Sequence, residues 1–478
     1  MKKIISVLMA IVMCLSLFSL AGCGEEEVLS TYTEDEVVGD EIVDETGADA
    51  NQNGSSKTQS GSKKSDTSKG KSGSKKANAT EAAFFENVPD ELKGTTVKFA
   101  TWIDHKSLDY AHVFSDFEML TGIKVEIVPI PQTEYIVKLT GMKASGTAPD
   151  VIVDVSQFPR TLPLLQPITE ATTGINIKDS VWDQEVANLY TINGKCYALT
   201  GSNTNWEMAS PLVFYNIPLL KKFGIKTPAD YVNDNNWTLD TFKKCAQDCK
   251  DAGIYTPCEI DVALWSNVYA DGPYHYDAKT NTYSNTMGTA QFKEMWNWLT
   301  SLSEKGLAKL SNSWASSLTS GDTGFVVSEA YGLRKQPGHF YQMDSADIGY
   351  AYLPKEKKSD SNYPISTYIR GYGIADGAKN PKGAGYFLRY FLNDDWYGTD
   401  EIFKDERAAQ MHKDLLKIKD FSHPLLNGVV YTQYEDYKAF YNELATSTPQ
   451  QVTANIDKVS QKMDYCVKKA NELIKAAR

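Results

Sequence analysis

Metal-ligating residues are scarce in this chain. Its 478 residues include six histidines and seven cysteines, with no CxxC or HxxxH spacing among them, which argues against a zinc site. There is no GxSxG elbow and no HExxH helix. The Gly70-Lys71-Ser72 string is no P-loop, because position 65 is Ser65 rather than glycine. The usual hydrolase, protease and nucleotide signatures are therefore missing, and neither a cofactor nor a metal is expected. A basic stripe is missing too. The formal charge is −12, from 49 bases against 61 acids. Phosphate neutralisation supplies most of the affinity for nucleic acid, and anionic membranes attract basic segments, so the acidic balance argues against both surfaces. Finally, only Ile4 to Leu20 forms a long apolar run, and nothing else approaches the ~18 residues of a second membrane span.

What is present starts with that run. Lys2 and Lys3 precede it, and it closes on Leu20-Ala21-Gly22-Cys23, the pattern of an export signal rather than a structural helix. The closing string resembles the lipobox of bacterial lipoproteins. That resemblance implies removal of residues 1–22 and acylation of Cys23, which would anchor the mature chain to the extracellular face of a bacterial cell membrane. A plain secretory signal, or a membrane anchor with an incidental cysteine, is the alternative. Residues 24–50 then carry eleven acids and no base, and 51–80 carry seven lysines against Asp66. The segment 51–80 is built from Ser, Lys, Gly, Asn, Gln and Thr, with Ala77 and Ala79 its only apolar residues. Such a composition cannot offset the entropy of ordering, so 23–84 is expected to be a disordered tether. About 60 such residues reach roughly 40–47 Å.

The remainder is apolar enough for a sizeable core and long enough for two or three folded units. Its five thiols, Cys196, Cys245, Cys249, Cys258 and Cys466, are odd in number, so at least one is unpaired. Cys245 and Cys249 lie one helical turn apart, and a Cys249–Cys258 bridge is left open. Element types alternate from the start of the body. Strands are expected at 95–101, 123–130 and 150–155, with helices at about 105–121 and 134–145 between them. This βαβαβ order predicts a mostly parallel sheet with helices on both faces, and a ligand crevice beyond the carboxyl ends of its strands. Further helices are expected at 238–251 and 289–305, stopped by Gly253 and Gly306, and after the Asn380-Pro381 cap. Trp296 falls on the apolar face of the second of these and reads as core.

Several strings, in order, resemble the extracellular solute-binding proteins of ABC importers, the broad family that includes maltose-binding protein. They are Val97-Lys98-Phe99-Ala100-Thr101-Trp102, Ala148-Pro149-Asp150-Val151-Ile152, Asn193-Gly194-Lys195-Cys196-Tyr197-Ala198-Leu199 and Leu212-Val213-Phe214-Tyr215-Asn216. Gly224-Ile225-Lys226-Thr227-Pro228, Asn236-Trp237-Thr238, Gly371-Tyr372-Gly373-Ile374-Ala375 and Ala378-Lys379-Asn380-Pro381 complete them. The resemblance covers about 95–395. It implies an α/β fold of the two-lobed periplasmic-binding type II, with hinge crossovers near 205–212 and 360–370. The first lobe would take 85–210 and 366–405, and the second 211–365 and 406–478. It also implies capture of a carbohydrate by lobe closure and delivery to ABC permease subunits, without catalysis.

A sugar offers an aliphatic ring edged with hydroxyls, so flat aromatic faces and planar polar groups suit it. Trp102 and Asp104 follow the first strand, and Asp154 and Gln157 follow the third, where Asp154 reads equally as a helix N-cap. Trp206 lies in a polar segment at the first crossover, and Trp265 in what reads as a loop, Leu264-Trp265-Ser266-Asn267. Tyr331 ends the string Gly324 to Tyr331, which resembles the family's strand leading to a sugar-stacking aromatic that is often Trp. Arg370 and Tyr372 flank the return crossover. Trp396 is the last tryptophan, so the further stacking tryptophan of maltose-type members is missing. A glycoside hydrolase, which also needs aromatics and carboxylates, is the rival reading. A glycoside-binding lipoprotein or a non-transport sensor on the same fold is another.

Overall fold

The computed structural model describes residues 84–103, 112–154, 157–202, 208–277, 279–312, 317–335, 340, 342–393, 403–418, 428–434 and 437–477. Cys23, Asp104 and Trp206 lie outside the described residues.

The alternation expected at the start of the body is present. Strand β1 (Thr96–Thr101) leads through α1 (His112–Thr121) to β2 (Lys124–Pro129), and through α2 (Tyr135–Ala144) to β3 (Val151–Val153). β1 pairs in parallel with β2 on one side and β3 on the other. The all-apolar Val151-Ile152-Val153 is wholly buried, as a parallel strand covered on both faces should be. A short strand β4 (Met208–Ala209) then carries the chain into a second sheet.

That sheet is built around β5 (Pro211–Asn216), buried along its whole length. Helix α3 (Leu239–Asp251) follows, and Thr238 caps it: the Thr241 N–H donates to Thr238 Oγ1 while Thr241 Oγ1 receives the Thr238 N–H at 2.8 Å. Phe242, Cys245, Ala246 and Cys249 form its buried stripe, and Gly253, at φ +77°, ends the turn. Next come β6 (Thr256–Asp261), α4 (Val262–Val268) and α5 (Ala290–Glu304), then β7 (Lys309–Ser311), β8 (Thr323–Glu329) and β9 (Ile348–Ala351). The order across the sheet is β7-β6-β8-β5-β9, with β6, β7 and β8 parallel to one another and β5 antiparallel to β8.

The chain returns through β10 (Tyr368–Ile369), antiparallel to β4, and enters the first sheet as β11 (Tyr372–Ile374), antiparallel to β3. The first sheet therefore reads β11-β3-β1-β2. Asp150 ties this return down. Its carboxylate accepts the Lys98 N–H of β1 at 2.8 Å, and the Lys379 and Asn380 N–H groups at 2.8 and 2.7 Å. Asn380 caps α6 (Pro381–Asn393), accepting the Gly383 N–H at 3.0 Å. Helices α7 (Glu406–Lys417) and α8 (Pro449–Ala476) follow. Phe403 packs among Leu212, Phe214 and Leu333, so the returning segment reaches the second sheet's core just before residue 405. Helix α8, with its buried stripe Val452, Ile456, Val459, Met463, Cys466 and Ala470, packs on α5 and on the hairpin strand Thr282–Asn285.

All five cysteines of the body are free and buried. The Cys249–Cys258 bridge left open by the sequence is not formed.

Candidate functional site

The two sheets are joined where β4 and β10 run side by side, and the ends of other strands meet there. At the second sheet, the Ala330 N–H just beyond β8 donates to the Ser210 carbonyl at 2.8 Å. Ser210 Oγ in turn lies 3.2 Å from Thr367 Oγ1, across the two crossovers. At the first sheet, the Asp154 N–H just beyond β3 donates to the Gly371 carbonyl at 2.7 Å. The carboxyl ends of β3 and β8 therefore bracket one pair of crossovers, which is where an open α/β sheet offers a crevice.

Tyr135 sets the floor on the first-lobe side. Its hydroxyl donates to the Ala100 carbonyl at 2.8 Å and accepts the Val153 N–H at 3.0 Å, locking the ends of β1 and β3 together. Trp102 stands on this floor, edge-on to Tyr135 with ring centroids 5.5 Å apart. The Arg370 guanidinium lies over the Trp102 ring, 5.3 Å from its centroid. On the other side of the crossovers, Arg334 lies 4.4 Å over the ring of Tyr331. Trp102, Tyr331, Arg334 and Arg370 are all half-buried, so each is held in place and still reaches solvent.

Asp154 plays a different part. It is 2% exposed, and its carboxylate accepts the Tyr190 hydroxyl at 2.7 Å, the Thr161 hydroxyl at 3.1 Å and the Gln157 N–H at 3.1 Å. Burial disfavours the charged form and pushes its pKa up to about 6, although these donors pull the other way. The same burial, with the Asp154 charge beside it, holds the Tyr190 hydroxyl well above its usual range. The Gln157 side-chain oxygen is buried, at 7% residue exposure, and has no partner among the described residues. Gly371 fits because nothing larger would. A Cβ there would sit 2.6 Å from the Tyr190 ring.

Two expected site residues are elsewhere. Trp265 is not in a loop but in α4, 1% exposed. It stacks against Tyr269 at 4.5 Å and Trp298 at 5.4 Å, with Phe242 at 5.3 Å, so its ring belongs to the second lobe's core. Asp261 accounts for the difference, capping α4 by accepting the Ala263 and Leu264 N–H groups at 3.0 and 3.2 Å. Tyr372 is 2% exposed and packs between Phe99 and Phe391 at 6.3 and 5.9 Å, inside the first lobe's core. Sequence reasoning also passed over Tyr190, Tyr135 and Arg334. Arg334 lies one turn beyond Tyr331, a spacing that was visible. Tyr190 meets Asp154 from 36 residues away, and no local pattern announces that.

Rings flanked by guanidinium groups, with buried amide and carboxyl groups beside them, make a site suited to holding a polar, ring-shaped solute. Among the described residues, no group of three His, Cys, Asp or Glu side chains is placed to hold a metal ion.

Residues 112–404 match the family model described as bacterial extracellular solute-binding protein. Three solved structures show the likeness of fold. The galacto-N-biose/lacto-N-biose I-binding protein of an ABC transporter from Bifidobacterium longum is 16% identical, with a TM-score of 0.62 over 80% of this chain and 99% of that one. The GacH receptor of Streptomyces glaucescens, solved unliganded and with acarbose, is 17% identical, with a TM-score of 0.58 over 77% and 98%. Maltose-bound MalE3 of T. maritima is 16% identical, with a TM-score of 0.54 over 78% and 99%. At these identities the likeness shows the fold, which is α/β and two-lobed. A search of curated proteins returned no significant match.

Proposed function

Because this chain belongs to the bacterial extracellular solute-binding protein family, we propose that it captures a saccharide between its two lobes and delivers it to an ABC permease. The observation that carries this reading is that two ring–guanidinium pairs, Trp102 with Arg370 and Tyr331 with Arg334, stand at strand ends that border the crossovers β4 and β10. Half-buried rings offer faces to the sugar's C–H surface, and the guanidinium groups offer donors to its oxygens. The named solved structures support a sugar as the ligand class, since they include proteins bound to lacto-N-biose, acarbose and maltose.

The mechanism is reversible capture by lobe closure, with no covalent step. Among the described residues, β4 and β10 are the paired strands of the two crossovers, and rotation about them changes the cleft. Ligand stabilises the closed arrangement by binding it better, and the permease reads occupancy as shape. The first lobe comprises 85–210 and the return from 366, and the second comprises 211–365 and the C-terminal helices. Acylated Cys23 and the tether of 23–84 hold this body at the extracellular face of the membrane.

A thermal-shift screen of the full chain in detergent solution, against mono- and oligosaccharides, tests the reading. A ligand at a hundred-fold excess over its dissociation constant stabilises the folded state by about 2.7 kcal/mol. A clear shift with the saccharide recovered unchanged supports capture. Recovery of cleaved product makes the protein a glycoside hydrolase instead. Binding that persists in a protein unable to support uptake in a transport assay would make it a sensor.

A further inference from the structure

One residue of the return crossover is gripped from two sides. Gly371 follows Arg370, and its carbonyl accepts the Asp154 N–H at 2.7 Å. The Asp154 carboxylate accepts the Tyr190 hydroxyl at 2.7 Å, and the Gly371 N–H in turn donates to the Tyr190 oxygen. The Tyr190 ring fills the space beside the Gly371 Cα, where a Cβ would meet it at 2.6 Å. Arg370 is the preceding residue, and its guanidinium lies 5.3 Å over the Trp102 ring. With Gly371 fixed at its N–H, its carbonyl and its Cα, Arg370 has little freedom to swing. Trp102 is placed from the same strand end, because it meets Tyr135 edge-on and the Tyr135 hydroxyl accepts the Val153 N–H at 3.0 Å. Both halves of the Trp102–Arg370 pair are thus referenced to the carboxyl end of β3.

The second lobe closes over this junction. Asn281, at the turn between strands Tyr274–Asp277 and Thr282–Asn285, accepts the Asn193 N–H at 3.1 Å and donates from Nδ2 to the Thr191 carbonyl at 3.4 Å. Tyr283 of this hairpin shares one buried cluster with Tyr190 and Phe158. Three tyrosines face Asp154, namely Tyr135 from α2, Tyr190 after the short helix Gln184–Leu189, and Tyr283 from the hairpin. Burial raises all three, with the Asp154 charge adding to it, so none ionises between pH 5 and 8. The charged groups of those elements are engaged elsewhere. Glu134 and Lys138 pair with each other at 2.7 Å at the surface, and Asp183 caps its own helix while Glu185 is exposed. His275 lies on the exposed face of the hairpin, and Asp277 accepts the Lys279 N–H at its turn. Arg160 and Arg370, on the flanking segments, keep their charge throughout. Among the described residues, Asp154 is therefore the group at this junction that exchanges a proton in that range. Enclosing it favours the neutral form and admitting water favours the charge, so enclosure and proton uptake go together.

We propose that Asp154 and Tyr190 are positioning residues of the capture site, setting Arg370 over Trp102 through Gly371, and that capture between the lobes takes up a proton at Asp154. This rests on the saccharide reading above and adds how its site is set.

Isothermal titration calorimetry of the full chain in detergent solution tests both halves, with maltose, acarbose, lacto-N-biose and any saccharide that shifts the melting temperature as probes. At pH 6 the binding enthalpy should change with the ionisation enthalpy of the buffer, in the sense of net proton uptake. Affinity should be about five-fold higher at pH 5 than at pH 7.5, against the roughly ten-fold that a full shift from 3.8 to about 6 gives over that interval. Asp154→Asn, neutral at every pH, should bind at pH 7.5 about as tightly as the wild type does at pH 5, with no buffer dependence. Tyr190→Phe keeps the ring and deletes the link from Asp154 to Gly371, so it should weaken binding about three-fold or more at both pH values. Loss of affinity at an unchanged melting temperature marks positioning, whereas loss of both in step marks a structural role and overturns it. A buffer-independent enthalpy with equal affinity at both pH values would overturn the proton uptake, and wild-type affinity in Tyr190→Phe would overturn the positioning. Saccharide capture survives either result. Binding by no saccharide of the screen would overturn this inference together with the reading it rests on.

Discussion

Asp154 links the hinge to pH, and the sign of that link can be worked out. The group is fully enclosed, and its pKa rises from 3.8 to about 6 because burial penalises the charge more than its hydrogen-bond donors favour it. In the folded state it therefore binds a proton at pH values where the unfolded chain has already released it. Its contribution to stability is fully present below about pH 4, and is lost as pH rises through about 6. Two pKa units at ~1.4 kcal/mol each make the swing about 3 kcal/mol, with no discount for solvent because the group is buried. Asp154→Asn removes the titration while keeping an acceptor for the Gln157 and Thr161 donors. Urea unfolding of both proteins at intervals from pH 3.5 to 7.5 gives a difference curve in which the other carboxylates cancel. The wild type should lose about 3 kcal/mol relative to the variant between pH 4 and 6.5, and the curve should be flat above that. Tyr190→Phe should move the step to higher pH, because it deletes a bond that favours the charged form. A difference curve flat across the whole range would refute the reasoning, since it would mean that Asp154 has the same pKa folded and unfolded.

Three further outcomes are expected. Trp265→Ala should cost about 3–5 kcal/mol of stability in urea unfolding, as loss of a core aromatic does. Gly371→Ala drives a methyl group to 2.6 Å from the Tyr190 ring, so it should cost about 1–3 kcal/mol and weaken ligand capture along with it. In calorimetry, that loss should exceed the one produced by a Gly→Ala change at the open position Gly288. Cys196, Cys245, Cys249, Cys258 and Cys466 should resist a thiol reagent at pH 8 until urea unfolds the body, because all are buried and burial raises Cys196 to about 11 and Cys466 to about 12.

Much of the architecture is legible from short-range pattern. The strands at 96–101, 124–129 and 151–153 lie where apolar alternation and an apolar run put them. The Thr238 and Asn380 caps, and the glycine stops at 253 and 306, mark helix ends that the structure reproduces within a residue or two. Trp296 was legible as core because its helix repeats apolar residues every three or four positions, and it is fully buried. The candidate site was legible only in part. Trp102 and Tyr331 border the crossovers because strand ends and a loop position are local properties. Trp265 was misread because an aromatic among polar neighbours looks exposed, whereas Asp261 caps a helix there and turns the ring inward.

The sequence by itself determined the elements, the order in which they alternate, the acidic character of the chain and the distinct composition of its first 83 residues. These depend on residues within one or two turns of each other, where side-chain periodicity and capping act. Only the tertiary structure decided which side chains meet. Asp154, Tyr190 and Gly371 come together across 217 positions of chain, and Arg370 reaches Trp102 across 268, positions read directly from the numbering. Contacts of that kind are set by how two sheets pack and where the crossovers return. Long-range pairing of this sort carries no periodicity, so it becomes visible only when the chain is folded.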